Sequence, residues 1–124
     1  MKRNMVGWFE IPVADMDRAK AFYETVFQIE ITLHDFGSSL MGWFPFAEEK
    51  EGAAGALVKQ DTYIPSQKGT LVYFVSDNVQ NELDRVEAAG GSIYQIKKQI
   101  SPEYGFMGAF IDTEGNRIAL HSQQ

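Results

Sequence analysis

The chain contains no cysteine. That absence removes disulfides, thiolate nucleophiles and cysteine-based zinc sites. It also fits a reducing, cytoplasmic setting, which is the expectation for localisation. Long apolar runs are missing as well. The N-terminal MKRNMVGWFEIPV carries two basic residues but no apolar stretch, so neither a leader peptide nor a membrane span is expected. Positive charge is scarce: 11 Lys and Arg against 17 Asp and Glu give a net charge of -6. The basic residues are scattered, with Lys97-Lys98 the one pair inside the fold. A nucleic-acid grip needs a positive surface, so no nucleic-acid partner is expected. The glycine-rich GAAGA and AAGG lack the spacing of phosphate loops. No Ser-His-Asp order with nucleophile-elbow glycines occurs.

What is present suits a single domain over 1–124. Apolar residues make up 44% and aromatics 13%, enough for a core without staples. VGWFEIPVAD alternates with period two, so Phe9, Ile11 and Val13 share one strand face, and Trp8, Glu10 and Pro12 share the other. In DMDRAKAFYETVF, Asp15 can cap a helix, and Met16, Ala19, Phe22, Tyr23 and Val26 recur at helical steps. This predicts a helix over about 16–27. Strands follow at IEITLHDF, SLMGWFPF and GALVKQ, the last two joined by the acidic loop AEEKEGAAG. DTYIPSQKG reads as a connector, broken by Pro65 and Gly69.

Then the order repeats. TLVYFVSD is a strand. NVQNELDRVEAAGG is a helix started by Asp77 or Asn78 and ended by Gly90-Gly91, with Val79, Leu83 and Val86 on one face. SIYQIKKQI, GFMGAFID and NRIALHS are three more strands. DTEGN is a tight turn in which Gly115 takes a positive φ. VAD and VSD, which open the two helices, lie half a chain apart. The fold class expected is α+β, two βαβββ modules: module 1 over about 4–61, a connector over about 62–69 and module 2 over about 70–124.

On IPVADMDRAKAFYETVF, VYFVSDNVQNELDRVEAAGGSI and GFMGAFIDTEGNRIAL, in that order and spacing, the chain resembles the vicinal oxygen chelate superfamily of glyoxalase I, bleomycin-resistance proteins and extradiol dioxygenases. The resemblance implies a cupped mixed sheet enclosing a cavity, with helices outside. It places Phe9, Ile11, Val13, Val72, Phe74, Ile118 and Leu120 toward the helices. Trp8, Glu10, Pro12, Leu71, Tyr73, Val75, Ala119 and His121 face inward. It also implies metal-ligand positions, which fall on Trp8, near Ala56, on Leu71 and on Ala119. None of these side chains binds a metal, and a catalytic divalent site generally uses three protein ligands. The family's usual metal is therefore not expected here, nor is any other cofactor.

The expected function is binding of a small molecule in an aromatic-lined cavity. Its ligand-binding residues would be Trp8, Glu10, Trp43, Tyr73, Tyr104, Phe106 and His121. The alternative is a lyase, isomerase or dioxygenase with a non-standard metal site, or with Glu10 and His121 as catalytic acid and base. Each residue also has a plainer reading. Glu10 is then a solvated strand carboxylate, His121 a terminal residue, His34 a surface residue, and the aromatics packing between modules or at a dimer seam. The sequence does not choose between enzyme and binder. A homodimer is expected from the resemblance.

Overall fold

A computed structural model describes residues 3–124. The elements run β1 (Trp8–Pro12), α1 (Met16–Phe27), β2 (Thr32–Asp35), β3 (Leu40–Trp43), β4 (Ala54–Lys59), β5 (Tyr73–Val75), α2 (Val79–Val86), β6 (Ser92–Ser101), β7 (Gly105–Ile111) and β8 (Arg117–Ser122). The two expected βαβββ modules are both present. They form two four-stranded sheets of the same order, β1-β4-β3-β2 and β5-β8-β7-β6. In each, the first strand runs parallel to the module's last, and the remaining neighbours are antiparallel. No described helix is long and apolar enough to cross a membrane.

Local chemistry sets the boundaries. Asp15 is extended and its Oδ1 accepts from the Arg18 N–H at 3.1 Å, so α1 starts where the cap allows. Asn78, rather than Asp77, caps α2 through the Gln80 N–H at 3.0 Å. That helix ends at Val86, short of the glycine pair. Gly90 turns left-handed at φ 108 and the Gly91 N–H closes onto the Val86 carbonyl, so residues 87–90 form a turn. β5 is shorter than TLVYFVSD because its ladder partner is β8 alone, over Tyr73–Val75. Gly55 permits a close approach between β1 and β4. A Cβ there would collide with the carbonyl oxygen and ring of Phe9.

Both helices and the inner faces of both sheets share one core. Phe110 of β7 packs on Phe22, Tyr23 and Phe27 of α1, and Phe9 meets Phe74 edge to face at 5.4 Å. The DTEGN turn then ties module 2 to module 1. Asp112 accepts from the buried Tyr23 hydroxyl at 2.6 Å and from the N–H groups of Glu114 and Asn116. Burial and the neighbouring Asp112 push the Tyr23 phenol well above its usual range, so it stays a donor. Asn116 donates from Nδ2 to the Pro12 carbonyl at 2.7 Å and accepts from the Ser66 N–H at 3.0 Å.

Glu114 sits at the N-terminus of α1. It accepts from the N–H groups of Ala14 and Asp15 and from the Arg18 guanidinium. Burial raises its carboxyl pKa, but Arg18, the two N–H groups and the Thr113 hydroxyl outweigh that and hold it at about 2, against 4.5 unperturbed. The folded-state value is the lower one. The stabilisation is therefore full above pH 4.5 and is lost as pH falls toward 2. Glu114→Gln keeps one oxygen for the two N–H groups but loses the charge and the acceptor facing Arg18 and Thr113. It is expected to cost about 1–3 kcal/mol at neutral pH, with a small Arg18 share because that side chain is half exposed. Urea unfolding of both proteins from pH 7 to pH 2 checks it. The gap between them should close through the acid range, and a constant gap would contradict the assignment.

Candidate functional site

The second face of the first sheet carries the residues of interest. Strand alternation buries Ile11 and turns Trp8 and Glu10 to the opposite face, as expected from the sequence. Register then aligns Glu10, Ala56 and Trp43 in one row across β1, β4 and β3. Ala56 is fully buried and small, so its larger neighbours can close over it. Trp8 and Trp43 meet edge to face, 5.7 Å apart at 74°. Trp8 Nε1 donates to Glu10 Oε2 at 3.3 Å, and the Tyr63 hydroxyl donates to Oε1 at 3.0 Å. That bond, with the carboxylate's charge, raises the Tyr63 pKa. The His34 ring lies 4.2 Å from that of Trp43.

Two of these neighbours escaped the sequence reading. Tyr63 lies in the connector and meets Glu10 across 53 residues. No periodicity marks it. His34, read as a surface residue, does share the face, and its alternation with Leu33 was the available signal.

In module 2, Tyr73, Ala119 and Ala109 form the matching row, and Val75, His121 and Met107 the next. His121 is an ordered strand residue, its Nε2 2.7 Å from the Tyr104 carbonyl oxygen. The Tyr104 contact is made by backbone, and its ring is exposed. Phe106 corrects the sequence expectation. It pairs with Ser122, whose Oγ accepts from the α2 Val79 N–H, and its ring packs against the helix-side core under the Lys97 ammonium. Phe106 therefore belongs to the opposite face from Tyr73 and His121. Among the described residues, no hydrogen bond joins Glu10 to His121: Glu10 is held by Trp8 and the connector's Tyr63, and His121 by the Tyr104 carbonyl.

Trp8, Trp43 and Tyr73 are 41%, 38% and 50% exposed, so the aromatic face of the single chain is open. The reason is that α1 and α2 pack on the same core, which leaves the other face of each sheet without a cover. Two concavities among the described residues lie elsewhere. One is a groove of about 240 Å³ between α2 and β6, and the other a cleft of about 700 Å³ between residues 3–7 and 49–52.

The metal-ligand positions implied by the resemblance fit no metal. Trp8 donates its only polar hydrogen to Glu10, and Ala56 and Ala119 are fully buried methyl groups. Leu71 offers no lone pair. No group of three or more His, Cys, Asp or Glu able to hold a metal is found among the described residues.

Comparison with known proteins agrees with this architecture. The family model described as Glyoxalase/Bleomycin resistance protein/Dioxygenase superfamily matches residues 5–120. No curated protein matches the chain. Among solved structures, glyoxalase I from Zea mays superposes with a TM-score of 0.70 at 16% identity, covering 94% of this chain and 45% of that one. The chain thus spans under half the length of the maize protein. TnmS3, an antibiotic binding protein from Streptomyces sp. CB03234, gives 0.70 at 22% identity, covering 100% of this chain and 99% of that one. The genomically encoded fosfomycin resistance protein FosX from Listeria monocytogenes gives 0.72 at 18% identity, covering 100% and 94%. At these identities the superpositions speak for the fold alone.

Proposed function

The chain belongs to the Glyoxalase/Bleomycin resistance protein/Dioxygenase superfamily, and from that premise we propose that it binds a small, largely apolar molecule on the Trp8–Trp43 face, without the metal of metal-using members. The observation that carries this reading is the pairing of two half-open indoles with a carboxylate fixed by two neutral donors. Small-molecule sites commonly combine aromatic walls with a few placed polar groups. The donor-free residues at the metal positions support the metal-free part. A binding role in place of turnover is favoured because Glu10 and His121 do not meet as an acid–base pair. TnmS3 is an antibiotic binding protein on this fold, and an antibiotic-like ligand is within this reading.

The partner we propose for the uncovered area is a second copy of the chain, since Val75 at 87% and Tyr94 at 56% exposed leave apolar surface on module 2. Nucleic acid is not a partner in this reading, given the net charge of -6. The absence of cysteine suits work in the cytoplasm.

The test is a thermal-shift screen of fused-ring aromatic compounds, followed by titration of any hit into wild type and Trp43→Ala. Losing one indole face should weaken a true ligand about ten- to a hundredfold, from roughly 1.5–3 kcal/mol of lost aromatic contact. A hit that binds both proteins equally would place the site elsewhere.

A further inference from the structure

We infer that the corner between Trp8 and Trp43 takes an organic cation, an ammonium-type nitrogen carried on an aromatic group, with Glu10 as its counter-ion. The inference rests on the small-molecule reading above and specifies the ligand's chemistry. Four observations carry it.

The first is the charge state of the site. Glu10 accepts from the Trp8 indole and the Tyr63 phenol, both neutral donors. The ion pairs among the described residues are Arg18–Glu114 and Lys20–Glu24, so Glu10 has no cationic partner there. A carboxylate has about four acceptor positions, and two remain. The second is the wall. Trp is the strongest cation–π partner among side chains, and its attraction grows when water is excluded. The Trp8 N–H is already committed to an anion, which leaves that ring richer in electrons. The third is the exclusion of other occupants. A neutral ligand covering Glu10 would desolvate an uncompensated charge, an anion would meet repulsion, and one carboxylate is too poor a donor set for a divalent ion. The fourth is the net charge of -6, which draws cations to the surface.

Trp8 and Trp43 are the chain's two tryptophans, so tryptophan emission reports this corner alone. The experiment titrates the full chain with benzyltrimethylammonium, benzyl alcohol and phenylacetate, following emission and heat. The cation should saturate at least about tenfold more tightly than the alcohol, and phenylacetate should not bind. Added salt should weaken the cation, and Glu10→Gln should bring cation and alcohol within about threefold at an unchanged melting temperature. If Glu10→Gln does not fold, the wild-type ratio of cation to alcohol decides by itself. Equal affinity for cation and alcohol, with emission responding to both, would overturn the cation assignment and leave the small-molecule reading standing. No response to any of the three would overturn the cation assignment and count against the small-molecule reading as well.

Discussion

Asp112→Ala should lose about 3–5 kcal/mol of stability, a large part of the 5–15 kcal/mol typical of a domain. Asp112 is 4% exposed and accepts from the Tyr23 hydroxyl, the Glu114 and Asn116 N–H groups and Asn116 Nδ2. Alanine removes every one of those acceptors. Tyr23 is fully buried and Asn116 nearly so, so water cannot replace the lost partner cheaply. Each stranded buried donor costs about 1–3 kcal/mol. Asp112→Asn keeps the shape and one acceptor, and its cost should be smaller. Urea unfolding of the three proteins measures this. An alanine variant within about 1 kcal/mol of wild type would mean that the turn does not clamp the modules.

Phe110→Ala should be comparably severe, at about 3–5 kcal/mol, the usual cost of removing a buried phenylalanine. The ring is fully buried. It stands on module 2 but packs on Phe22, Tyr23 and Phe27 of module 1. The cavity therefore opens in a core common to both halves. We expect one cooperative transition, lowered by roughly 10–20 °C, in keeping with a single folding unit over 1–124. Calorimetry checks both features. Two separated transitions, with the module 1 transition unmoved, would show that the halves fold apart.

Much of this architecture was legible in the chain. The bounds of α1 follow from the Asp15 cap and the Met16-Ala19-Phe22-Tyr23-Val26 stripe, both local properties. Alternation in WFEIP told which side of β1 faces the helices. The same rule, applied from Phe110, carries Phe106 and Gly108 to the helix face, so the misplacement of Phe106 ran against a signal already in GFMGAF. Other features had no local signature. The length of β5 depends on its single ladder partner. Tyr63 reaches Glu10 from an irregular connector. DTEGN announced a turn through Gly115, yet the partners of Asp112, Glu114 and Asn116 are up to 104 residues away. The openness of the aromatic face follows from both helices packing on the opposite side of the sheets.

The most direct test of the small-molecule site is to follow the two tryptophan indole N–H signals by ¹H–¹⁵N NMR while titrating an aromatic hit. The Trp8 N–H points at Glu10 and Trp43 stands 5.7 Å away, so both signals should shift together and saturate at one dissociation constant. Unmoved indole signals, with amides of the α2–β6 groove such as Leu83 and Ile93 shifting instead, would contradict the account and move the site to the helix side of the second sheet.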